Sequence, residues 1–168
     1  MINFWIIQLI GFIAGIFLVL SYFRKDTNKV LSFHILSGLL DFIHYLLLGA
    51  YSGALIYLFE STRDYLYYKT DKDKYIFIVS AIIYLSVSLF QVRIWYDYLP
   101  ILASLIDGYS LTLNKKNITT GACISYSIWV IYNIKVLSIS GIILDGIIAL
   151  SNIYILIFKN SKKTSTNI

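Results

Sequence analysis

Residues 31–68 read LSFHILSGLLDFIHYLLLGAYSGALIYLFESTRDYLYY. The first run stays apolar as far as Leu48, breaks at Gly49-Ala50-Tyr51-Ser52-Gly53, and resumes as a second run that carries Glu60, Arg63 and Asp64. About 20 mostly apolar residues are what a helix needs to cross a hydrocarbon layer ~30 Å thick. Two such runs joined by so short a turn must lie side by side and antiparallel. The rest of the chain follows the same plan, with crossings expected at Asn3 to Phe23, Leu31 to Leu48, Ala50 to Tyr68, Ile76 to Gln91, Tyr98 to Leu113, Thr120 to Ile134 and Ser138 to Phe158. A six-helix reading that loses the fourth or sixth crossing is the alternative.

Composition agrees with a polytopic membrane protein. The 168 residues are 58% hydrophobic and 14% charged, against ~45–50% and ~25% in soluble domains. The single cysteine, Cys123, can close no intramolecular disulfide, and no His/Cys spacing for zinc is present. No metal and no cofactor are expected. The lipid bilayer is the expected partner, nucleic acid is not, and the sequence leaves a homo-oligomer open. The 15 tyrosines accompany abundant Ile, Lys and Asn, as in an AT-rich coding sequence, and are discounted as a sign of an aromatic-lined site.

Basic residues set the orientation, because they are retained in short cytoplasmic loops. Arg24, Lys25, Lys29, Lys69, Lys72, Lys74, Lys115, Lys116, Lys159, Lys162 and Lys163 follow odd-numbered crossings, whereas only Arg93 and Lys135 follow even-numbered ones. This bias of 11 to 2 expects an outside N-terminus and a cytoplasmic tail at 159–168, in a multi-pass protein of the bacterial cytoplasmic (inner) membrane. The basic pair follows the first apolar run instead of preceding it, so that run reads as a retained crossing and not a signal peptide.

Sliding the chain on itself by 88 residues aligns Tyr51-Ser52-Gly53 with Ile139-Ser140-Gly141, and Arg63-Asp64 with Ser151-Asn152. Crossings one to three (1–68) thus correspond to five to seven (98–158), with the fourth (76–91) as an inverting linker. The expected fold is an all-α membrane protein of seven transmembrane helices, two parallel triple-helix bundles plus a linker.

Gln8-Leu9-Ile10-Gly11, His44-Tyr45-Leu46-Leu47-Leu48-Gly49 with Gly53 and Arg63, Leu99-Pro100, and Trp129-Val130-Ile131-Tyr132-Asn133 with Gly141, Asp145 and Asn152 resemble the YgjV family of bacterial inner-membrane proteins. That family is similar to the PQ-loop and SWEET sugar-facilitator group, which implies a SWEET-like 3+1+3 arrangement with Asn and Trp side chains lining a pocket. The chain lacks a Pro-Gln pair after the first crossing, so the hinge that names the PQ-loop group is not carried over.

Six charged residues fall within crossings: Asp41, Glu60, Arg63, Asp64, Asp107 and Asp145. Each would cost at least ~2.5 kcal/mol facing lipid, so they should face an interior. Helical spacing puts them on polar stripes with His34, His44, Tyr57, Ser104, Trp129, Asn133 and Asn152. Five acids against one arginine cannot all be ionised in a low-dielectric interior; some must be protonated, paired or solvated. Such a cavity suits a cationic or polyhydroxylated solute better than an anion.

The candidate substrate-binding or translocation residues are Asp41, His44, Glu60, Arg63, Asp64, Asp107, Trp129, Asn133, Asp145 and Asn152. Structural readings stand beside them. Glu60 and Arg63 could be an intrahelical pair, Asp41 and His44 a hydrogen-bonded pair, Trp129 packing, the two asparagines interhelical links, and Gly11 and Gly15 a close helix contact. No HExxH, GxSxG or phosphate loop is present, so an enzyme is not expected. The expected function is a transporter or facilitator of a small polar or cationic solute; the alternative is a non-transporting membrane interaction or scaffold protein whose buried polar residues are structural.

Overall fold

The computed structural model describes residues 3–22, 27–70, 73–113 and 115–159. Arg24, Lys25, Lys72 and the tail from residue 160 lie outside the described residues. Seven α-helices run through the rest: α1 Phe4–Tyr22, α2 Thr27–Leu47, α3 Tyr51–Lys69, α4 Asp73–Gln91, α5 Tyr98–Leu111, α6 Lys115–Val136 and α7 Ile139–Tyr154. A short 3-10 turn, Trp95–Asp97, leads into α5, and a π turn, Ile155–Lys159, continues α7. The crossings read from sequence coincide with these helices, and the six-helix alternative falls. α2 and α6 begin several residues earlier than expected, because a helix can extend through polar residues wherever water can satisfy its first N–H groups.

Polar and apolar side chains are distributed as lipid requires. Gln8, Ser37, His44, Arg63, Ser104, Asn133, Ser140 and Asp145 are buried, whereas Trp5, Ile82, Leu89, Phe90, Ile147 and Leu150 are exposed. In α1, Ile6, Leu9, Ile13 and Ile16 face outward, while Gln8, Gly11, Ala14 and Gly15 face the bundle. Among the described residues two helices, Lys74–Gln91 and Ile139–Phe158, are long and apolar enough by themselves to cross a membrane. The apolar stretches of α1 and α2, Phe4–Leu20 and Ser32–Leu47, are shorter.

Contact registers set the helix directions. Ser37 Oγ donates to the Ala14 carbonyl at 2.8 Å, and His44 Nδ1 to the Ile7 carbonyl at 2.8 Å, so rising numbers in α2 meet falling numbers in α1. α1 and α7 run parallel instead. Gln8 meets Leu137 at a separation of 129 residues, and a side chain added at Gly11 or Gly15 would strike Ser140 or Leu144. α3 and α5 are also parallel, since Glu60 meets Ser104, Arg63 meets Asp107, and Tyr67 meets Gly108. The packing order is α1, α2, α3, α5, α6, α7 and back to α1, with α4 lying outside across α3 and α5.

The α2–α3 and α6–α7 turns are built alike at the 88-residue offset. Gly49 (φ 73°) and Leu137 (φ 59°) both take the left-handed conformation. Ala50 N–H donates to the Tyr45 carbonyl at 2.9 Å and Ser138 N–H to the Asn133 carbonyl at 3.0 Å; Ala54 returns to Ala50 as Ile142 does to Ser138, both at 3.0 Å. The contacts around the turns correspond too. Tyr132 reaches the Ser52 hydroxyl at 2.9 Å and His44 the Ser140 hydroxyl at 3.4 Å. Tyr45 and Asn133, themselves 88 apart, hydrogen-bond to each other.

Candidate functional site

A cavity of about 520 Å³ lies within the ring of six helices, and α4 contributes nothing to its lining. Three layers of side chains define it.

The first layer closes the end where α2 meets α3 and α6 meets α7. His44 Nδ1 is held by the Ile7 carbonyl and so carries the hydrogen; in the neutral ring Nε2 then accepts from Ser138 Oγ at 2.8 Å. Gln8 donates to the Leu137 carbonyl at 3.1 Å and accepts from Ser140 N–H at 3.1 Å. Tyr45 donates its hydroxyl to Asn133 Oδ1, and Asn133 Nδ2 donates to Asp145 Oδ2 at 2.8 Å. On the other side Tyr132 accepts from Gly53 N–H at 3.0 Å, while Ser52 donates to Asp97 at 2.9 Å. Every one of these groups is satisfied by another helix or turn, which buried polar groups require.

The second layer is the middle of the cavity. Tyr57 stacks on Tyr45 at 5.2 Å between ring centroids and lies 4.7 Å from Trp129. Asp41 and Asp145 line the same space. Asp41, Tyr57, Trp129 and Asp145 each sit six or seven residues from the helix ends at 47, 51, 136 and 139. At 1.5 Å per residue that is one common depth, about 9–10 Å in.

The third layer is built on Arg63, only 3% exposed. Its Nη2 donates to Asp64 at 3.0 Å and to Asp107 at 3.1 Å, and its Nη1 to the Ser104 carbonyl at 3.3 Å. Glu60 accepts from the Ser104 hydroxyl. This layer ties α3 to α5, with the cavity continuing past it to Leu111 and Ile118.

The bacterial inner membrane protein family Imp-YgjV matches residues 5–163. The chain belongs to this family. Neither the curated proteins nor the solved structures contain a match to it. Membership places this Imp-YgjV chain among bacterial inner membrane proteins, which explains why its apolar side chains face outward and its charges inward.

Of the residues singled out from sequence, Asp41, Glu60, Arg63, Asp64, Asp107, Trp129 and Asp145 line the cavity. His44 and Asn133 lie behind the lining, as links between helices. Asn152 stands apart and donates to the Ile148 carbonyl of its own helix at 3.0 Å. One expected pair is corrected. His44 bonds Ile7 and Ser138 instead of Asp41, because position 44 faces α1 and α7 while position 41 faces the cavity. For Arg63 the expected partner was Glu60 or an acid from another helix, and it is the second: Arg63 pairs with Asp107 of α5 as well as with Asp64, while Glu60 accepts from the Ser104 hydroxyl. Discounting the tyrosines was also misleading, since Tyr45, Tyr57, Tyr67 and Tyr126 line the cavity. For Tyr45, Tyr57 and Tyr67 the available signal was a position three or four residues from Asp41, Glu60 and Asp64 on the polar stripes; Tyr126 has no charged residue at that spacing.

Proposed function

We propose that this protein is a transporter or facilitator of a small polar or cationic solute, not an enzyme, and that it works by alternating access around the central cavity. The observation that carries this reading is the cavity itself: an interior of about 520 Å³ among six helices, with seven charged or aromatic side chains singled out from sequence on its wall. A protein that only locked helices together would fill that space.

The matching turns and registers at the 88-residue offset support a SWEET-like 3+1+3 organisation, with α1 to α3 and α5 to α7 as repeats and α4 as linker. Under the orientation given by the basic bias, the closed first layer faces outside and the cavity runs inward. The rival reading, a membrane interaction or scaffold protein, draws on the complete pairing of His44, Gln8 and Asn133. Solute binding to the purified chain separates the two. We expect Asp145→Asn to abolish binding at normal expression, and Asn152→Ala, outside the cavity, to leave it unchanged. Loss of binding in Asn152→Ala alone would move the site elsewhere.

A further inference from the structure

The two walls of the middle layer occupy corresponding positions of the chain but carry different chemistry. Tyr57 and Trp129 face each other across α3 and α6 at 4.7 Å. At the 88-residue offset these positions become Asp145 and Asp41, which line the same cavity from α7 and α2. One side of the layer is therefore an aromatic platform, extended by Tyr45 stacked on Tyr57, and the other a pair of carboxylates.

The carboxylates are not used up internally. Asp145 is 6% exposed and accepts from Asn133 through Oδ2 alone. Among the described residues no donor reaches its Oδ1 or either oxygen of Asp41, although both residues line the cavity. Carboxylate oxygens in a low-dielectric space call for N–H donors or a positive charge. Among the described residues the cavity wall carries one arginine and no lysine, and that arginine, Arg63, is held by Asp64 and Asp107.

We propose that the cavity binds a small organic ammonium ion, its N–H groups donating to Asp41 and Asp145 and its apolar body lying on Tyr57 and Trp129. Carboxylate and aromatic face each favour the cation, one by charge and hydrogen bonds and the other by the ring quadrupole. A second, anionic group on the ligand would meet Glu60, Asp64 and Asp107 with, among the described residues, no unengaged arginine to receive it, so a monoamine fits better than an amino acid. The volume accommodates a ligand of that size. This inference rests on the reading of the cavity as a solute site and names the class of solute.

The test uses the full chain in nanodiscs at neutral pH, with Trp5→Phe and Trp95→Phe leaving Trp129 as the reporter. Phenethylamine is titrated beside 2-phenylethanol, phenylalanine and glucose. Saturable change in Trp129 emission is expected with phenethylamine, at least tenfold tighter than with 2-phenylethanol or phenylalanine. Asp41→Asn, which removes no internal hydrogen bond, should weaken phenethylamine at least tenfold while leaving the folded yield unchanged; Asp145→Asn should do the same. Equal binding of 2-phenylethanol, an unaffected Asp41→Asn, or no binding of phenethylamine overturns the ammonium site. Binding of glucose alone, lost in Asp145→Asn, also overturns it yet upholds the transporter reading; failure of all four ligands removes this site and leaves that reading to other solutes.

Discussion

Arg63 shows how a single buried charge is stabilised by helices that meet only in the folded chain. Its guanidinium has two carboxylates and a carbonyl within 3.3 Å, and at an effective dielectric of 20 a pair at 4 Å is worth about 4 kcal/mol before desolvation. Arg63→Ala leaves Asp64 and Asp107 without their counter-charge and should lower stability by about 3 kcal/mol or more, read as lost folded yield and a lower Tm. Adding Asp107→Asn should recover part of that loss, because it removes one orphaned charge. Adding Glu60→Gln should recover less, since Glu60 is bonded to Ser104. Leu137 offers the opposite case. It takes a left-handed φ of 59° and is 66% exposed, so it holds strain of about 1 kcal/mol with little packing in return. Leu137→Gly should therefore raise Tm, and Gly49→Leu at the corresponding turn should lower it by a similar amount; an unchanged Tm in both would mean the turns are not strained.

Helix pairs are decided by where small residues allow backbones to approach. α1 reaches α7 through Gly11 and Gly15, where an added side chain would strike Ser140 and Leu144. The two contacts differ in tolerance: Leu144 is a flexible side chain, while Ser140 is tied to Gln8 and lies beside His44. Gly11→Val should thus cost about 1–3 kcal/mol by overpacking, with Gly15→Ala costing less, both measured by thermal unfolding in detergent. Equal losses would show that the Ser140 network is as adaptable as a leucine. α4 is held differently. It buries Ile76, Ser80 and Tyr84 against the bundle and leaves Ile78, Val79, Ile82, Leu85, Leu89 and Phe90 exposed, as befits a helix that packs outside the ring without lining the cavity.

For the whole molecule the orientation is the property that most directs function, because it says which end of the cavity is closed to which compartment. A reporter active only in the cytoplasm should be active when fused after Ile168, and a periplasmic-type reporter silent there; the reverse result inverts the protein and turns the closed first layer inward. Sequence alone determined the class, the seven helices and the set of charges that line the cavity, because hydrophobic length and helical period are local properties that lipid enforces on each segment separately. It also contained the 88-residue offset, visible in Tyr51-Ser52-Gly53 and Ile139-Ser140-Gly141. Which charges pair was decided only by tertiary structure. Glu60 and Arg63 share a face of α3 and looked like partners, as Asp41 and His44 did on α2, until α5 supplied Asp107 and Ser104, and α1 and α7 supplied Ile7 and Ser138. A side chain's spacing says which face it occupies; the partner on that face comes from another helix, and only packing brings the two within hydrogen-bonding distance.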